Sequence, residues 1–250
     1  MGEIASILHD YGLLLLVGQY PNGPLGGLAL TFILAVLGVA LAFPLGVGLA
    51  LARVSRFRLL YWPATALVYV MRGLPLIMLI FWVYFFLPVI VGEPVSGFST
   101  MLATLVIYEA AYLAEIVRAG IESLPRGQME AARVVGLTYI QAMRKVVLPQ
   151  AIYNMVPAML SQFVSTIKET SLGYVISVNE LTFAANQVNS TLLTKPFPVY
   201  VVLAAIYFLL CFSLTHIARQ LERRVARRRA GMSSAGTSQG LPPPIAAIAE

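Results

Sequence analysis

Charged residues are sparse in this sequence, and those inside apolar stretches are of types suited to binding rather than to bond-making. Glu109 and Glu115 are the only charges in 94–117, and Arg118 follows directly. An ionisable side chain at mid-bilayer costs at least about 3 kcal/mol, so each one needs a partner or a function. Glu115 and Arg118, three residues apart, share one helical face and are expected to form a structural ion pair. Glu109 lies deeper, and either lines a pathway or hydrogen-bonds a neighbouring helix. Further on, Ser161, Ser165 and Lys168 recur at helical spacing, as do Gln162, Thr166 and Glu169. Such a polar stripe either packs helices together, where Ser and Thr aid close approach, or lines a cavity, and the cavity is the preferred expectation. There Lys168 would attract a carboxylate, while Glu169 would bind an ammonium group or neutralise Lys168. Arg72 precedes Gly73-Leu74-Pro75, and Pro75 biases Leu74 away from helical geometry. A helix broken at membrane depth must turn its freed backbone toward protein or water. Arg72 is thus expected either to meet a carboxylate in a pathway or to pair with Glu109 or Glu169.

Several chemistries are excluded. A lone Cys211 rules out a disulfide framework and any multi-Cys metal site. His9 and His216 stand near opposite ends, which argues against a His-based metal site. A phosphate-binding P-loop needs a Gly-Lys pair, and the three lysines follow Arg144, Ile167 and Thr194. The chain is therefore not expected to bind or hydrolyse ATP.

The elements that must hold these residues are membrane helices. Of 250 residues 59% are hydrophobic and 11% charged, with mean hydropathy +0.81; soluble domains carry roughly 25% charged residues. A helix needs about 20 apolar residues to cross the hydrocarbon core. Five spans are expected, near Leu25–Ala52, Pro75–Val91, Thr100–Val117, Ala151–Ile167 and Val199–Ala218. Residues 1–22 hold an apolar piece too short to span and are expected along the membrane surface. Arg53, Arg56 and Arg58 follow span one; Arg118, Arg126, Arg133, Arg144 and Lys145 lie between spans three and four. Arg219, Arg223, Arg224 and Arg227 to Arg229 follow span five, and together these are 14 of the 17 basic residues. Basic residues favour the cytoplasm, so the N-terminus is expected outside and the C-terminus inside. The +6 charge orients the chain in lipid and is not a nucleic-acid footprint. Residues 23–229 form the membrane domain, with a cytoplasmic loop over 119–150. Residues 230–250, rich in Gly, Ser, Thr and Pro, are expected to be a disordered tail.

The loop reads as helix, turn, helix. Pro125 and Gly127 start a helix over Gln128–Val135, and Gly136 suits its left-handed end. Thr138 can cap a second helix through Ile140–Val147, and Pro149 is expected to break the chain before span four.

Four motifs in order now carry a resemblance. Glu130-Ala131-Ala132, Gly136 and Leu148-Pro149 resemble the EAA signature of permease subunits of bacterial ATP-binding-cassette (ABC) importers. Arg72-Gly73-Leu74-Pro75-Leu76 resembles the RGTPLL-type motif of the polar amino-acid permeases. Ala111-Tyr112-Leu113-Ala114-Glu115-Ile116-Val117-Arg118-Ala119-Gly120 resembles their AYxAEIxRGG stretch. Lys168-Glu169-Thr170-Ser171-Leu172, then Glu180-Leu181, resembles their KDTSL…EL segment. The likeness covers about residues 25–225, and is nearest the glutamate/aspartate branch over Arg72–Trp82.

The resemblance implies an all-α type I ABC importer permease in the bacterial inner membrane, and not itself an enzyme. It implies two ATPase subunits carrying ATP and Mg, a second permease subunit, and a periplasmic amino-acid-binding protein. In the family the EAA helix sits in a groove of the ATPase. That assigns coupling to Gln128, Glu130, Ala131, Ala132, Gly136, Leu148 and Pro149. The substrate pathway is expected among Arg72, Leu74, Glu109, Gln162, Ser165, Lys168, Glu169 and Ser171. Glu109 departs from the small or neutral residue expected in the family. The expected cargo is a polar amino acid, with glutamate or aspartate the finer expectation. The alternative is an ion-coupled secondary transporter using Glu109, Glu169 and Lys168.

Overall fold

The computed structural model describes residues 2–55 and 57–237, so Met1, Arg56 and 238–250 lie outside it. The described residues are helical throughout, joined by short turns. In chain order the helices are α1 (Gly2–Val17), α2 (Gly27–Val54), α3 (Arg58–Gly73), α4 (Leu76–Val91) and α5 (Gly97–Glu122). There follow α6 (Arg126–Val134), α7 (Tyr139–Ala142), a π turn (Met143–Val147) and α8 (Leu148–Glu169). A 3-10 segment (Thr170–Ile176), α9 (Leu181–Leu192) and α10 (Pro196–Thr237) complete the chain.

α5 is the central helix, packed against α2, α3, α4 and α8. The α2–α5 seam follows from small residues four apart, Gly38, Ala42, Gly46 and Ala50, all buried. That spacing lines one face of α2 and lets two backbones approach. At Gly46 the approach requires glycine, because a Cβ there would stand 2.8 Å from Leu113 Cβ and 3.1 Å from the Ala110 carbonyl oxygen.

Three helices, α2, α5 and α10 over Pro196–Leu221, are long and apolar enough to cross a membrane. α3 and α4 meet at 109° and together supply a fourth crossing if the bent pair is one span. α8 has 22 residues, long enough, yet its polar residues leave it short of the others in apolarity. The break between α3 and α4 falls where Pro75 dictates: Leu74 is extended (φ −95°, ψ 138°), and Pro75 caps the next helix.

The structure departs from the sequence expectations at several points. Residues 58–73, which lie between the first two expected spans, form α3. Residues 2–17 form α1, whose Ile7 and Leu15 are buried with Leu181, Ala185 and Val188 of α9 and with Val199 and Val202 of α10. Lys195 Nζ reaches Glu3 Oε1 at 3.1 Å and ties the far end of α1 to the start of α10. Pro149 does not break the chain. It lies in the first turn of α8, where a proline needs no donor, and the π turn before it carries the backbone through, with Leu148 N–H bonded to Met143 O. α10 runs to Thr237, into the stretch expected to be a disordered tail; the rest of that stretch, 238–250, lies outside the described residues.

Candidate functional site: the loop and two glutamates of α5

The loop between α5 and α8 is built from local signals. α6 closes on Gly136, at φ +88°, a conformation that glycine adopts without penalty. Gly136 N–H bonds to Arg133 O (3.1 Å) and Leu137 N–H to Ala132 O (3.2 Å), the paired bonds of a Schellman end. Thr138 then caps α7 reciprocally: Gln141 N–H donates to Thr138 Oγ1 (3.3 Å), and Thr138 N–H to Gln141 Oε1 (2.9 Å). The second helix stops at Ala142, where the π turn takes over.

The loop is rooted in the core. Met143 and Val147 are buried with Ala50, Val68, Ala114, Val117, Ala151 and Met155. Gln128 accepts a bond from Gln150 Nε2 (3.2 Å), and Asn154 Nδ2 donates to Ser123 Oγ (2.8 Å), so the end of α5 and the start of α6 are both tied to α8. Ala132 is buried, whereas Glu130 and Ala131 are exposed. Leu148 is half-buried and Pro149 exposed. The outward face carries an apolar patch that residue spacing did not single out: Val134 (87% exposed), Val135 (77%) and Ile140 (74%). Its signal in the sequence is apolar residues at the end of an otherwise polar short helix.

The structure divides the polar stripe of α8 into two rows. Gln162 and Thr166 face α5. There Glu109, fully buried, accepts from Thr166 Oγ1 (2.8 Å, to Oε1) and from Gln162 Nε2 (3.1 Å, to Oε2). Glu109 thus hydrogen-bonds a neighbouring helix, one of its two expected roles. In the other row Ser161 and Lys168 are exposed and Ser165 is half-buried. Glu169 is half-buried, with Oε2 covered and without a bonding partner. Ser171 Oγ donates to the Lys168 carbonyl (2.6 Å). Leu74, at the broken helix, is half-buried.

Glu115 is the centre of a second cluster. Arg53 Nη1, from the end of α2, donates to Glu115 Oε2 at 2.5 Å, and Arg118 Nη2 binds Oε1. Arg118 also binds Glu122. The corrected partner of Arg72 is here: its Nη1 lies 3.7 Å from Glu115 Oε2, rather than against Glu109 or Glu169. Arg72 stacks over Tyr112 (5.4 Å to the ring centroid), and Arg53 over Tyr69 (5.7 Å). Spacing along α5 reveals the Glu115–Arg118 contact; the arginines from α2 and α3 carry no such local signal.

With this geometry in place, comparison with known proteins is direct. Residues 42–227 match the family described as "Binding-protein-dependent transport system inner membrane component". The chain belongs to that family. A probable glutamine ABC transporter permease, GlnM of Bacillus subtilis, is 39% identical over 197 residues, covering 79% of this chain and 90% of the relative. The glutamate/aspartate import permease GltK of Escherichia coli O157:H7 is 35% identical over 211 residues, 81% of this chain and 93% of the relative. Among solved structures, one described as an amino acid ABC transporter with histidines superposes with a TM-score of 0.73 at 34% identity. It covers 79% of this chain and 92% of that one. As a member of the family the protein is an inner-membrane transport component, and the four motifs that first suggested an ABC permease sit on α3–α4, α5, α6–α8 and α8–α9.

Proposed function

We propose that this chain is the permease subunit of an ATP-driven importer of polar amino acids. The observation that carries the reading is the α6–α7 loop. It presents Glu130, Ala131, Val134, Val135 and Ile140 outward on a Schellman turn, while Met143 and Val147 anchor it to the core. A rigid knob with an exposed apolar tip is suited to an ATPase groove, and its root reaches α8 through Gln128–Gln150. Nucleotide-driven movement of two ATPase subunits, which hold the ATP and Mg, would then turn α8 and its outward row of Ser161, Ser165 and Lys168. A second permease subunit would complete the pathway, and a periplasmic binding protein would deliver the cargo.

The membrane arrangement belongs to the same proposal. α2, α3–α4, α5, α8 and α10 make five crossings, with the N-terminus outside and the C-terminus inside. α8 crosses despite its polarity because its polar rows face α5 and a shared cavity rather than lipid. The names of the relatives span glutamine, glutamate/aspartate and arginine, so the proposed cargo is a polar amino acid, with glutamine and glutamate the first to assay. The ion-coupled alternative has no support among these relatives.

The test is reconstitution of the permease with its ATPase subunits in vesicles, supplied with binding protein and labelled amino acid. ATP-dependent uptake, stimulated by loaded binding protein and lost in Gly136→Trp with the complex still assembled, is the expected result. Uptake that ignores ATP and follows an imposed ion gradient would overturn the proposal.

A further inference from the structure

Two carboxyl groups meet inside the helix bundle where no cation joins them. Gln162, Thr166 and Glu169 are spaced to lie along one face of α8, and the first two bond Glu109 of α5. Glu169, one turn further on, brings its carboxyl within hydrogen-bonding reach of Glu109. Glu109 is fully buried, and Glu169 Oε2 is covered with no bonding partner. Among the described residues neither carboxyl forms an ion pair; the arginines of α2, α3 and α5 gather instead at Glu115 and Glu122.

The elements around the pair supply no balancing charge. α2 has no ionisable side chain before Arg53, which Glu115 holds. From α3, Arg72 lies over Tyr112, whose hydroxyl is 3.0 Å from that of Tyr108, and Tyr108 faces both carboxyls. α4 and the 3-10 segment bring only Tyr84 and Tyr174, both exposed. On α10, Tyr200 and Tyr207 are bonded to Asn186 and Glu180, and Cys211 lies toward Lys168, itself exposed.

Two ionised carboxylates in contact repel, the more so away from water, and neither can donate to the other. One proton removes both faults, because the O–H of one carboxyl then donates to an oxygen of the other. Glu109 has room for that bond: a carboxylate offers about four acceptor positions, and Gln162 and Thr166 do not fill them.

We propose that Glu109 and Glu169 share one resident proton, and that this carboxyl–carboxylate bond latches the end of α8 to α5. The proton belongs to the pair rather than to either residue. It is held, not carried with cargo, so the inference rests on the helix joint and stands apart from the importer reading. While the proton stays, the bond is complete. As pH rises and the proton leaves to water, a second negative charge remains and the joint loosens.

The test is infrared spectroscopy of the full-length permease in complex with its ATPase subunits at neutral pH. Wild type is compared with Glu169→Gln and with Glu109→Gln. Wild type should show the carbonyl stretch of a protonated carboxyl, sensitive to heavy water, that each single variant loses. It is lost because the new carboxamide N–H takes over donation and leaves the remaining carboxyl ionised. A spectrum unchanged in Glu169→Gln overturns the proposal, since both carboxyls are then ionised in wild type or Glu109 holds a proton alone. A band that survives in Glu109→Gln overturns it too, and gives the proton to Glu169 alone. Should Glu109→Gln fail to assemble, Glu109→Asp, which draws the carboxyl back by one methylene, takes its place; an unshifted band there is fatal to sharing. The thermal midpoint gives a second readout. Between neutral and alkaline pH it should fall further in wild type than in Glu169→Gln, whose donor does not titrate. Other groups titrate in both proteins and cancel in the comparison, so equal falls overturn the latch.

Discussion

Glu109 and Glu115 occupy the same helix, six residues apart, and are satisfied in opposite ways. Glu109 is fully buried and takes its bonds from neutral donors, Gln162 and Thr166, on a single neighbouring helix. Glu115 is 24% exposed at its side chain and is ringed by arginines from α2, α3 and its own helix. Neutral donors permit a carboxylate to be replaced by a carboxamide of the same shape, because the acceptor oxygen survives. Arginines do not, because their charge remains. Glu109 therefore reads as a clamp between α5 and α8, and Glu115 as a hub that bonds two guanidinium groups and lies beside a third.

The largest effect should come from breaking the hub. Glu115→Ala strands Arg53, buried at 7% exposure, and removing one partner of a buried pair costs about 3 kcal/mol or more. A marked fall in the thermal midpoint of the solubilised complex, followed by intrinsic fluorescence, is the measurement. A midpoint equal to wild type would show that the arginines find water or other acceptors. The clamp should respond less and discriminate more. Glu109→Ala leaves the Gln162 carboxamide without its acceptor and Thr166 with only the Gln162 carbonyl (3.0 Å), at about 2 kcal/mol, whereas Glu109→Gln should recover most of that loss. If the carboxamide proved as damaging as alanine, charge rather than hydrogen bonding would be the role of Glu109.

A third carboxylate extends the series. Glu180 is fully buried and accepts from the backbone N–H groups of Thr182 (2.8 Å) and Phe183 (2.9 Å), and from Tyr207 Oη (3.1 Å). Beside it Leu181 N–H bonds to Thr31 Oγ1 (3.1 Å), so α2, α9 and α10 meet at this point. Glu180→Ala removes a helix cap, a change of about 1 to 2 kcal/mol. Proteolysis within 177–193 should accelerate in that variant and not in Glu109→Gln.

The comparison also explains what could be read from sequence. The long apolar runs of α2, α5 and α10, the Pro75 break, the Gly136 turn and the Thr138 cap were legible, because each depends on residues close together in the chain. The meeting of Glu115 with Arg118 was legible for the same reason. The partners Arg53 and Arg72 come from other helices, and their register is set by the small-residue seam Gly38–Ala50 and the bend at Leu74. α3 falls outside the expected spans because Arg58, Pro63 and Arg72 interrupt its apolar run. Pro149 was misread because a proline ordinarily stops a helix, whereas here the π turn of Met143–Val147 leads into it. The outward patch Val134, Val135 and Ile140 was hidden for another reason: within the loop the apolar residues split between the core and the surface.

The smallest predicted change in stability falls at the turn that shapes that loop. A Cβ at Gly136 meets nothing within 4 Å, so Gly136→Ala carries no clash. It carries only the cost of a left-handed backbone at φ +88°, about 1 kcal/mol. That cost should hardly move the thermal midpoint, because α6 is tied elsewhere through Gln128 to Gln150. Coupling is a stricter readout, since relaxing the turn re-aims Val134 and Val135 away from Ile140. Uptake per ATP hydrolysed should therefore fall in Gly136→Ala while basal hydrolysis by the assembled complex persists. An unchanged ratio of uptake to hydrolysis would mean that the tip reaches its groove whatever the angle of the turn, and would shift the weight of coupling to the rooted residues Met143 and Val147.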